Sequence, residues 1–254
     1  MTNERLARLF DEAVATLQQH EPPEGYFVCF SGGKDSIVIV DLVRRSGVKH
    51  DAHFHKTSVD PPELLQFIRE HYPDVIWERP EYTMFQLIEK WHMTPTRKGR
   101  YCCSVLKEAH GYGRTCVTGM RKAESLKRAE RSMFEVDRIK SHNKRYLNII
   151  IDWRDKDVWN YIRNTGLAYP CLYDGGWKRI GCIGCPMANR KQQFLRYPQF
   201  KKAYTEAIRR SMAVVPDKHF GTNAEMYIDW WLSNLSPESY LERLKQRDIF
   251  DEQG

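Results

Sequence analysis

The residues best suited to chemistry in this chain form a short glycine-containing turn, Ser31-Gly32-Gly33-Lys34-Asp35-Ser36. The apolar run Tyr26–Phe30 before it predicts a strand, and the run Ile37–Val43 after it predicts a helix. Adjacent glycines let a backbone approach a ligand closely, and the amides at the start of a helix favour an anion. The lysine of the turn adds positive charge, and its two serines add hydroxyl groups. The turn therefore predicts a phosphate-binding site, with a glycine spacing that differs from the Walker pattern.

Two pairs of cysteines form the second group of reactive side chains. Cys102-Cys103 are adjacent, and Cys182-Ile183-Gly184-Cys185 is a Cys-x-x-Cys segment. Four thiolates suit either zinc or an iron–sulfur cluster. Adjacent cysteines strain a shared tetrahedral zinc, whereas a cubane offers each sulfur a different iron, so the spacing favours a [4Fe–4S] cluster. Zinc and redox or structural thiols stay open as alternatives, and Cys171 is an alternative ligand in place of one of the adjacent pair.

The composition limits the class of protein. The chain has 254 residues, a formal net charge of +7 and seven cysteines, an odd number that argues against a disulfide framework. Its first residues lead into an amphipathic segment rather than a secretory signal, and no apolar stretch approaches the roughly 18–20 residues of a membrane span. We therefore expect a cytoplasmic protein without a membrane partner.

Much of the positive charge comes from residues 121–145, where nine Lys and Arg residues stand against four Asp and Glu residues. Such a segment is typical of a surface that binds nucleic acid or a small polyanion, but also of an ordinary solvated loop. Both interpretations stay open at the level of the sequence.

Strands and helices alternate over the first two thirds of the chain, which indicates a parallel sheet covered on both faces. Leu147–Ile151 predicts one of these strands, and the residues from Asp152 predict the next helix. Ser31, Thr57 and Gly119 each follow a predicted strand. Ligands of such sheets bind beyond the carboxyl ends of the strands, so we expect these three residues to share one crevice. The predicted organisation is an N-terminal helix (1–24), a nucleotide-binding α/β domain with the metal site (25–190) and a helical C-terminal extension (191–254).

Several separate motifs resemble one family. The hexapeptide from Ser31 resembles the Ser-Gly-Gly-x-Asp-Ser loop of the PP-loop ATP pyrophosphatase superfamily. Thr118–Arg121 resembles the Thr-Gly-x-Arg segment of its phosphoadenosine phosphosulfate (PAPS) reductase family, and Ile150–Ile162 resembles that family's Trp-containing segment. The cysteine pattern resembles that of assimilatory adenylyl-sulfate reductases. The resemblance implies an α/β fold with a Rossmann-like parallel sheet of the adenine nucleotide alpha hydrolase kind.

Within that family the resemblance implies two activities. Sulfonucleotide reductases carry a nucleophilic cysteine in a C-terminal Glu-Cys-Gly segment, and no cysteine follows Cys185 here, so reduction of adenylyl-sulfate or PAPS is the second interpretation. The first is the ATP-pyrophosphatase subunit of DNA phosphorothioation systems of the Dnd and Ssp type. That resemblance implies that ATP adenylylates a DNA backbone phosphate and releases pyrophosphate, after which sulfur from a cysteine desulfurase displaces AMP. A tRNA-thiolating enzyme and a subunit that binds ATP without turnover are further alternatives.

The resemblance also implies roles for individual residues, with ATP, Mg²⁺ and a [4Fe–4S] cluster as cofactors. Lys34, Asp35 and Arg121 are the predicted catalytic residues, and Asp35 is the predicted contact to Mg²⁺. The predicted nucleotide-binding residues are Ser31, Gly32, Gly33, Lys34, Asp35, Ser36, His55, Thr57, Gly119, Arg121 and Arg128. The predicted cluster ligands are Cys102, Cys103, Cys182 and Cys185.

Overall fold

The computed structural model describes residues 2–137 and 139–251, so Met1 of the predicted N-terminal helix, Arg138 of the basic segment and residues 252–254 of the predicted extension lie outside the described residues. The strands within these ranges are β1 (Tyr26–Phe30), β2 (His50–His55), β3 (Ile76–Glu78), β4 (Thr115–Val117), β5 (Phe134–Val136) and β6 (Arg145–Leu147). The helices are α1 (Thr2–Gln19), α2 (Lys34–Ser46), α3 (Pro62–His71), α4 (Met84–Trp91), α5 (Tyr101–Leu106), α6 (Leu126–Ala129), α7 (Asp155–Thr165), α8 (Arg190–Arg196), α9 (Pro198–Val214), α10 (Ala224–Ser233) and α11 (Pro237–Asp251).

The strands form one sheet in the order β3-β2-β1-β4-β6-β5. All neighbouring pairs are parallel except β5 and β6, which run antiparallel. This confirms the predicted α/β class with a mostly parallel sheet. The chain leaves β1 in one direction to form β2 and later returns on its other side to form β4. Such a reversal of strand order opens a crevice at the carboxyl end of the strand, and the glycine turn occupies that position.

Helix α2, which follows the glycine turn, is buried along its central turn. Its residues Ile37, Val38, Ile39 and Val40 are consecutive, and each is at most 1% exposed. The helix packs against α1, α7 and the sheet, which explains why four consecutive residues of this turn are apolar. Each of these side chains contributes roughly 1.5–3 kcal/mol when fully buried. The first turn of α2 is therefore held on a rigid support.

Two elements differ from the sequence-based expectation. The predicted strand Leu147–Ile151 is wrong beyond Leu147, because β6 ends there and the isoleucines form a buried turn. In that turn the Ile151 amide donates to the Asn148 carbonyl (3.0 Å), and the Asn148 side chain donates to the Ser132 carbonyl (2.8 Å). Isoleucine side chains can be buried from a strand or from a turn, so the apolar run did not distinguish these two backbone conformations. The edge strand β5 lies within the basic segment and was not predicted.

The chain divides into two compact units, which interleave along the sequence. The first, which we call the sheet unit, carries all six described strands with α1, α2, α3, α6 and α7; the second, the helical unit, carries α4, α5 and α8 to α11. The sheet unit is Met1–Lys56, Asp60–Arg79 and Lys107–Gly181, and the helical unit is Thr57–Val59, Pro80–Leu106 and Cys182–Gly254. The C-terminal helices confirm the predicted helical extension, while the linear domain boundaries at 24 and 190 stay a prediction. None of the helices within the described residues is long and apolar enough to cross a membrane.

Candidate functional site

The conformation of the glycine turn in the sheet unit is set by contacts within the turn and by the backbone of its glycines. Gly32 has a φ of +72°, and a Cβ there would stand 2.6 Å from a methyl carbon of Leu64, so this position requires glycine. Gly33 caps α2 without a side chain, and its carbonyl accepts from the Ser36 hydroxyl at 2.8 Å. The Ser31 hydroxyl in turn donates to the Ser36 oxygen at 3.2 Å. The predicted strand–turn–helix is thus confirmed, and the amides of the turn start a buried helix.

Two buried cations and two carboxylates form a closed network beside this turn. Lys34 and Arg121 are 6% and 3% exposed. The Lys34 ammonium lies 3.1 Å from Asp35 and 3.2 Å from Asp155. The Arg121 guanidinium binds the same two carboxylates, through Nε to Asp35 (2.7 Å) and through Nη2 to Asp155 (3.1 Å). Because buried charges are costly unless paired, the carboxylates make the burial of both cations possible.

The chain brings Arg121 to the turn by a close backbone approach. At Gly119, after β4, a Cβ would lie 3.1 Å from the backbone carbon of Asp35, so a side chain would push the two segments apart. The Arg121 amide then donates to Glu124 at 3.0 Å, which fixes the backbone around the guanidinium. Arg128 forms an ion pair with Glu124 instead of joining the network. Gly119 and Arg121 thus lie beside the turn, and the nucleotide contacts of Gly119, Arg121 and Arg128 stay predictions.

Two residues at this turn were missed. Asp155 lies in the first turn of α7, where an acidic residue is also expected simply to stabilise the helix dipole. Tyr173 is mostly buried, and its hydroxyl accepts from the Lys34 amide at 2.9 Å. Burial raises the pKa of Tyr173, while the hydrogen bond from the Lys34 amide lowers it in part, so the phenol is neutral at pH 7. The Lys34 amide therefore already donates to Tyr173, and a phosphate oxygen would have to replace the Tyr173 oxygen in order to accept from this amide.

His55, at the end of β2, belongs to a stack of rings in the sheet unit. Its ring lies 4.6 Å from that of His110 and 6.0 Å from that of Phe27. Its Nε2 is buried and has no hydrogen-bond partner among the described residues. Burial, followed by the positive charges of His110 and His53, lowers the pKa of His55 to about 3. The imidazole is therefore neutral at pH 7 and keeps an unused polar atom. Its contact with a nucleotide stays a prediction.

Thr57, the other predicted nucleotide contact, falls in the helical unit. It is completely buried, and its hydroxyl oxygen accepts from the Cys182 thiol at 3.4 Å. The structure therefore groups Thr57 with the predicted metal ligands. The residues predicted to bind one nucleotide are thus divided between the two units.

The Cys-x-x-Cys turn of the helical unit is held by side chains of α8 and α9. The Gln193 side chain accepts from the Gly184 amide (2.9 Å) and donates to the Cys182 carbonyl (3.2 Å). The Tyr204 hydroxyl donates to the Ile183 carbonyl at 3.0 Å. Gly184 has a φ of +80°, and a Cβ there would collide with the Tyr204 ring at 2.8 Å. The turn therefore presents Cys182 and Cys185 in a fixed conformation.

Cys102 and Cys103 are carried by α5 in the same unit. The hydrogen bond with Cys103, then burial, then the charges of Cys103, Cys182 and Cys185 raise the pKa of Cys102. The four predicted ligands are thus close enough to interact electrostatically. Nevertheless, no group of three or more His, Cys, Asp or Glu side chains within the described residues is arranged to hold a metal ion.

The remaining cysteines are distributed over the sheet unit. Cys116 on β4 is buried, and Cys29 on β1 is half-buried. Cys171 is exposed.

Comparison with known proteins agrees with this geometry. Residues 25–188 match the family model described as phosphoadenosine phosphosulfate reductase domain. The chain is 32% identical over 197 residues to an uncharacterized protein of Methanocaldococcus jannaschii, covering 71% of this chain and 47% of that protein. It therefore spans about half the length of that relative. It is also 29% identical over 180 residues to an adenosine 5'-phosphosulfate reductase of Staphylococcus haemolyticus, covering 61% of this chain and 68% of that protein.

Solved structures show the same fold. A PAPS reductase of Candida auris in a phosphate complex superposes with a TM-score of 0.54 at 17% identity, covering 72% of this chain and 96% of that chain. An FMN adenylyltransferase of Candida glabrata in complex with FAD and pyrophosphate superposes with a TM-score of 0.54 at 13% identity, covering 72% of this chain and 64% of that chain. At these identities the similarity concerns the fold alone.

Proposed function

Because the chain belongs to the phosphoadenosine phosphosulfate reductase domain family, we propose that it binds ATP at the glycine turn and cleaves it between the α- and β-phosphates. The observation that carries this proposal is the pair of buried cations, Lys34 and Arg121, beside the first turn of α2. Their charge and the amides of the turn together match the needs of a polyphosphate. The acceptor that we propose is a nucleic-acid oxygen, first the DNA backbone phosphate and second a tRNA base.

In this proposal, each part of the turn has one task. The amides of Gly32 and Gly33, with the two serine hydroxyls, hold the β- and γ-phosphates. Lys34 neutralises the charge that develops on the leaving pyrophosphate, which is the main electrostatic requirement of such a reaction. Arg121 clamps phosphate oxygens through its planar fork. Asp35 and Asp155 offer the hard carboxylate oxygens that Mg²⁺ prefers.

The proposed reaction has two halves. The acceptor oxygen attacks the α-phosphorus, the bond from the α-phosphorus to the bridging oxygen breaks, and pyrophosphate leaves with that oxygen. A persulfide supplied by a cysteine desulfurase then attacks the adenylylated phosphorus through its terminal sulfur, and AMP leaves carrying the oxygen. A thiol reductant cleaves the remaining S–S bond, which leaves the sulfur on the phosphorus and forms a disulfide. The network around Lys34 supports only the first half, so the sulfur donor is the less supported part of the proposal.

The charge of the chain supports a polyanionic acceptor, with one restriction. Within residues 121–145, Arg128 is paired with Glu124, and Arg131 is paired with Glu135. Lys127 lies exposed in the same segment. The support for nucleic acid therefore comes from the net charge of +7 and from exposed cations such as Lys127, rather than from a base-reading motif.

We also propose that Cys102, Cys103, Cys182 and Cys185 hold a [4Fe–4S] cluster. The support for this proposal is the type of donor, since four soft thiols lie in one unit and such thiols bind iron–sulfur clusters. A single metal ion needs donors that converge on one point, whereas a cubane bonds each sulfur to a different iron. When bound, such a cluster supplies a redox-active, sulfur-rich centre. The Gln193 side chain donates to the Cys182 carbonyl and so orients this part of the backbone. The Thr57 hydroxyl accepts from the Cys182 thiol.

Reduction of a sulfonucleotide is the second candidate function. It is favoured by the similarity to the Staphylococcus haemolyticus protein named adenosine 5'-phosphosulfate reductase. This reaction needs a nucleophilic thiol that forms a covalent intermediate with the sulfur. Cys171 is the exposed cysteine of the described residues and is the candidate for that thiol.

A pyrophosphate-release assay tests the proposal. Anaerobically purified protein is supplied with ATP and Mg²⁺ and with double-stranded DNA, with tRNA, or with neither. We expect release of pyrophosphate that increases with one of the two nucleic acids. In parallel, adenylyl-sulfate and a thiol are supplied, and sulfite is measured with the wild type and with C171S. Sulfite formation that C171S abolishes would establish the reductase, and tight ATP binding without pyrophosphate in any mixture would establish a non-catalytic subunit.

A further inference from the structure

The segment from Lys90 to Leu106, which joins α4 to α5 in the helical unit, carries four cations and no Asp or Glu. Three of these cations, Arg97, Lys98 and Arg100, are exposed, and none of the three forms an ion pair with a carboxylate of the described residues. This differs from residues 121–145, where cations are paired with carboxylates. The positive charge of the α4–α5 segment is therefore available to an anionic ligand.

The loop that carries these cations is ordered by its own hydrogen bonds. The Thr96 amide donates to the Gly99 carbonyl (3.0 Å), and the Gly99 amide donates to the Thr96 hydroxyl (2.9 Å). These two bonds close a turn whose central residues are Arg97 and Lys98. The Arg97 Nε also donates to the Pro186 carbonyl at 3.2 Å, a neutral partner that leaves the charge of the guanidinium uncompensated. The cations are thus held in a defined place.

An exposed tryptophan packs on the residue that directly follows this loop. Trp91, the last residue of α4, is 51% exposed, and its ring stacks on that of Tyr101 with 5.4 Å between the centroids and 7° between the planes. The Tyr101 hydroxyl donates to the Met93 carbonyl at 2.6 Å, which fixes the supporting ring. Arg100 is the neighbour of Tyr101 in the chain, and Lys98 is at most about 11 Å of chain away. An ordered ring therefore supports the indole, half of the indole side chain is in solvent, and the cations begin next to this aromatic pair.

The combination of a stacked aromatic pair and unpaired cations matches one ligand chemistry. A single exposed apolar side chain is ordinary on a protein surface. Sites that hold single-stranded nucleic acid without reading its sequence, however, combine cations along the backbone with aromatic rings on which bases stack. A nucleobase placed on the indole extends the parallel stack, and the phosphates beside that base bind the cations. An acidic protein segment would satisfy the cations but would not require the flat face of Trp91.

We propose that Trp91, Arg97, Lys98 and Arg100 bind an unpaired stretch of nucleic acid, with a base stacked on the indole and phosphates bound by the cations. This rests on the nucleic-acid acceptor of the proposed function and names the surface through which the helical unit holds that acceptor. A base stacks on the indole only where it is not stacked within a duplex, so the surface selects single-stranded or locally opened nucleic acid. Because every base has a flat face, the binding is tolerant of sequence.

The aromatic half of the surface is tested by binding, measured as the fluorescence anisotropy of labelled oligo(dT), oligo(U) and an oligo(dA)·oligo(dT) duplex. W91L keeps an apolar side chain on Tyr101 but removes the aromatic face, and W91F keeps a smaller ring. We expect W91L to weaken binding of the single strands about 5- to 150-fold and to leave binding of the duplex unchanged, while W91F retains most of the affinity. The control is L195A, because Leu195 is an exposed apolar residue of α8 in the same unit. The oligo(dT) and oligo(U) arms show which of the two backbones is preferred.

The cations are tested through the salt dependence of the same binding. The double variant K98A/R100A removes two charges from the proposed surface, and the control K202A/K245A removes two exposed lysines of α9 and α11. Each phosphate contact that is lost decreases the slope of log K against log salt concentration by about 0.7 for a single strand. We therefore expect K98A/R100A to decrease the slope by about 1.4, while W91L and the control keep the slope of the wild type.

The outcomes separate this surface from the function on which it rests. Wild-type affinity for single strands in both W91L and K98A/R100A would overturn the surface and leave the nucleic-acid acceptor in place. A wild-type protein that binds no oligonucleotide would overturn the surface and the acceptor together, while pyrophosphate release would still decide the cleavage of ATP. Poly-glutamate bound as tightly as oligo(dT), with a loss in K98A/R100A and none in W91L, would identify a surface for acidic proteins and overturn the proposal.

Discussion

The two units hold buried cations in opposite ways. In the sheet unit, Lys34 and Arg121 are buried but share the carboxylates of Asp35 and Asp155. In the helical unit, Arg190 is buried and no carboxylate of the described residues pairs with it. The first two cations have charged partners, whereas the third is held by the Asn234 side chain and the face of Trp231.

This difference teaches what each region requires of its ligand. A charged ligand that enters the sheet unit must rearrange an existing network, because the cations already have partners. The partners are carboxylates, so a ligand that brings Mg²⁺ can bind the cations through its phosphates and the carboxylates through the metal. The network thus favours a metal–nucleotide complex over a free anion. The following predictions test that interpretation, in order of decreasing effect.

Removal of the Lys34 ammonium should have the largest effect. We expect K34A to lower the rate of pyrophosphate release by about 10²–10³, which is typical of losing a charge-stabilising group at a developing anion. The rate is measured at saturating ATP and Mg²⁺. The control is K122A, because Lys122 forms an exposed ion pair with Asp152 outside the network. Equal rates for K34A and the wild type would disprove the assignment of the glycine turn.

Replacement of Arg121 by lysine tests the planar fork separately from the charge. R121K keeps a cation but loses the two-sided contact to Asp35 and Asp155. Charged hydrogen bonds contribute about 1.5–3 kcal/mol, so we expect kcat/KM for ATP to fall roughly 10- to 150-fold. The matched control is R44K, since Arg44 lies in the last turn of α2 and forms an exposed ion pair with Asp74. An R121K enzyme as active as the wild type would mean that charge alone suffices.

The sequence predicted the strongest local signals and missed contacts made at a distance. The run from Tyr26 to Val43 was predicted closely, because the two apolar runs and the glycines between them agree with one another. Gly119 and Arg121 were found through a motif. Asp155 and Tyr173 were missed, since each reaches the turn from more than a hundred residues away. Nothing in the local sequence distinguishes such a residue from an ordinary helix or loop residue.

Thr57 shows a second limit of prediction from the local sequence. It follows β2, as a nucleotide contact in this kind of sheet should, and the rule on strand ends therefore selected it. Its contact with a nucleotide stays a prediction, and its hydroxyl accepts from the thiol of Cys182, which is 125 positions later in the chain. The direction of the chain after a strand depends on packing that no local pattern records. Strand ends thus predict the neighbourhood of a site better than its members.

A further basic group, His55, avoids the cost of charge by losing its proton. Its pKa of about 3 lies below the value of 6.5 expected for the unfolded chain, so the unfolded state binds more protons between these values. Stability should therefore decrease as the pH falls from 6.5 towards 3, by at most about 1.4 kcal/mol per pH unit. We expect H55F to lose less stability over this range, as measured by denaturant unfolding. The control is H71F, since His71 is exposed; parallel pH profiles for H55F and wild type would contradict the assignment.

Removal of the Asp155 carboxylate, the exposed partner in the network, should have the smallest effect on the affinity for ATP. The direction of the change, tighter or weaker binding, is the informative result. The Asp155 side chain is 63% exposed, and pairs of that kind contribute no more than about 1 kcal/mol. Because Asp155 competes with phosphate for Lys34 and Arg121, D155N should bind ATP up to about fivefold more tightly without Mg²⁺. With Mg²⁺ the gain should disappear, since the variant has lost a carboxylate for the metal. Calorimetry with and without Mg²⁺ measures both, with D152N as the exposed control. Weaker binding of D155N to metal-free ATP would mean that the carboxylate positions the cations instead of competing for them, and the network would then not select a metal–nucleotide complex.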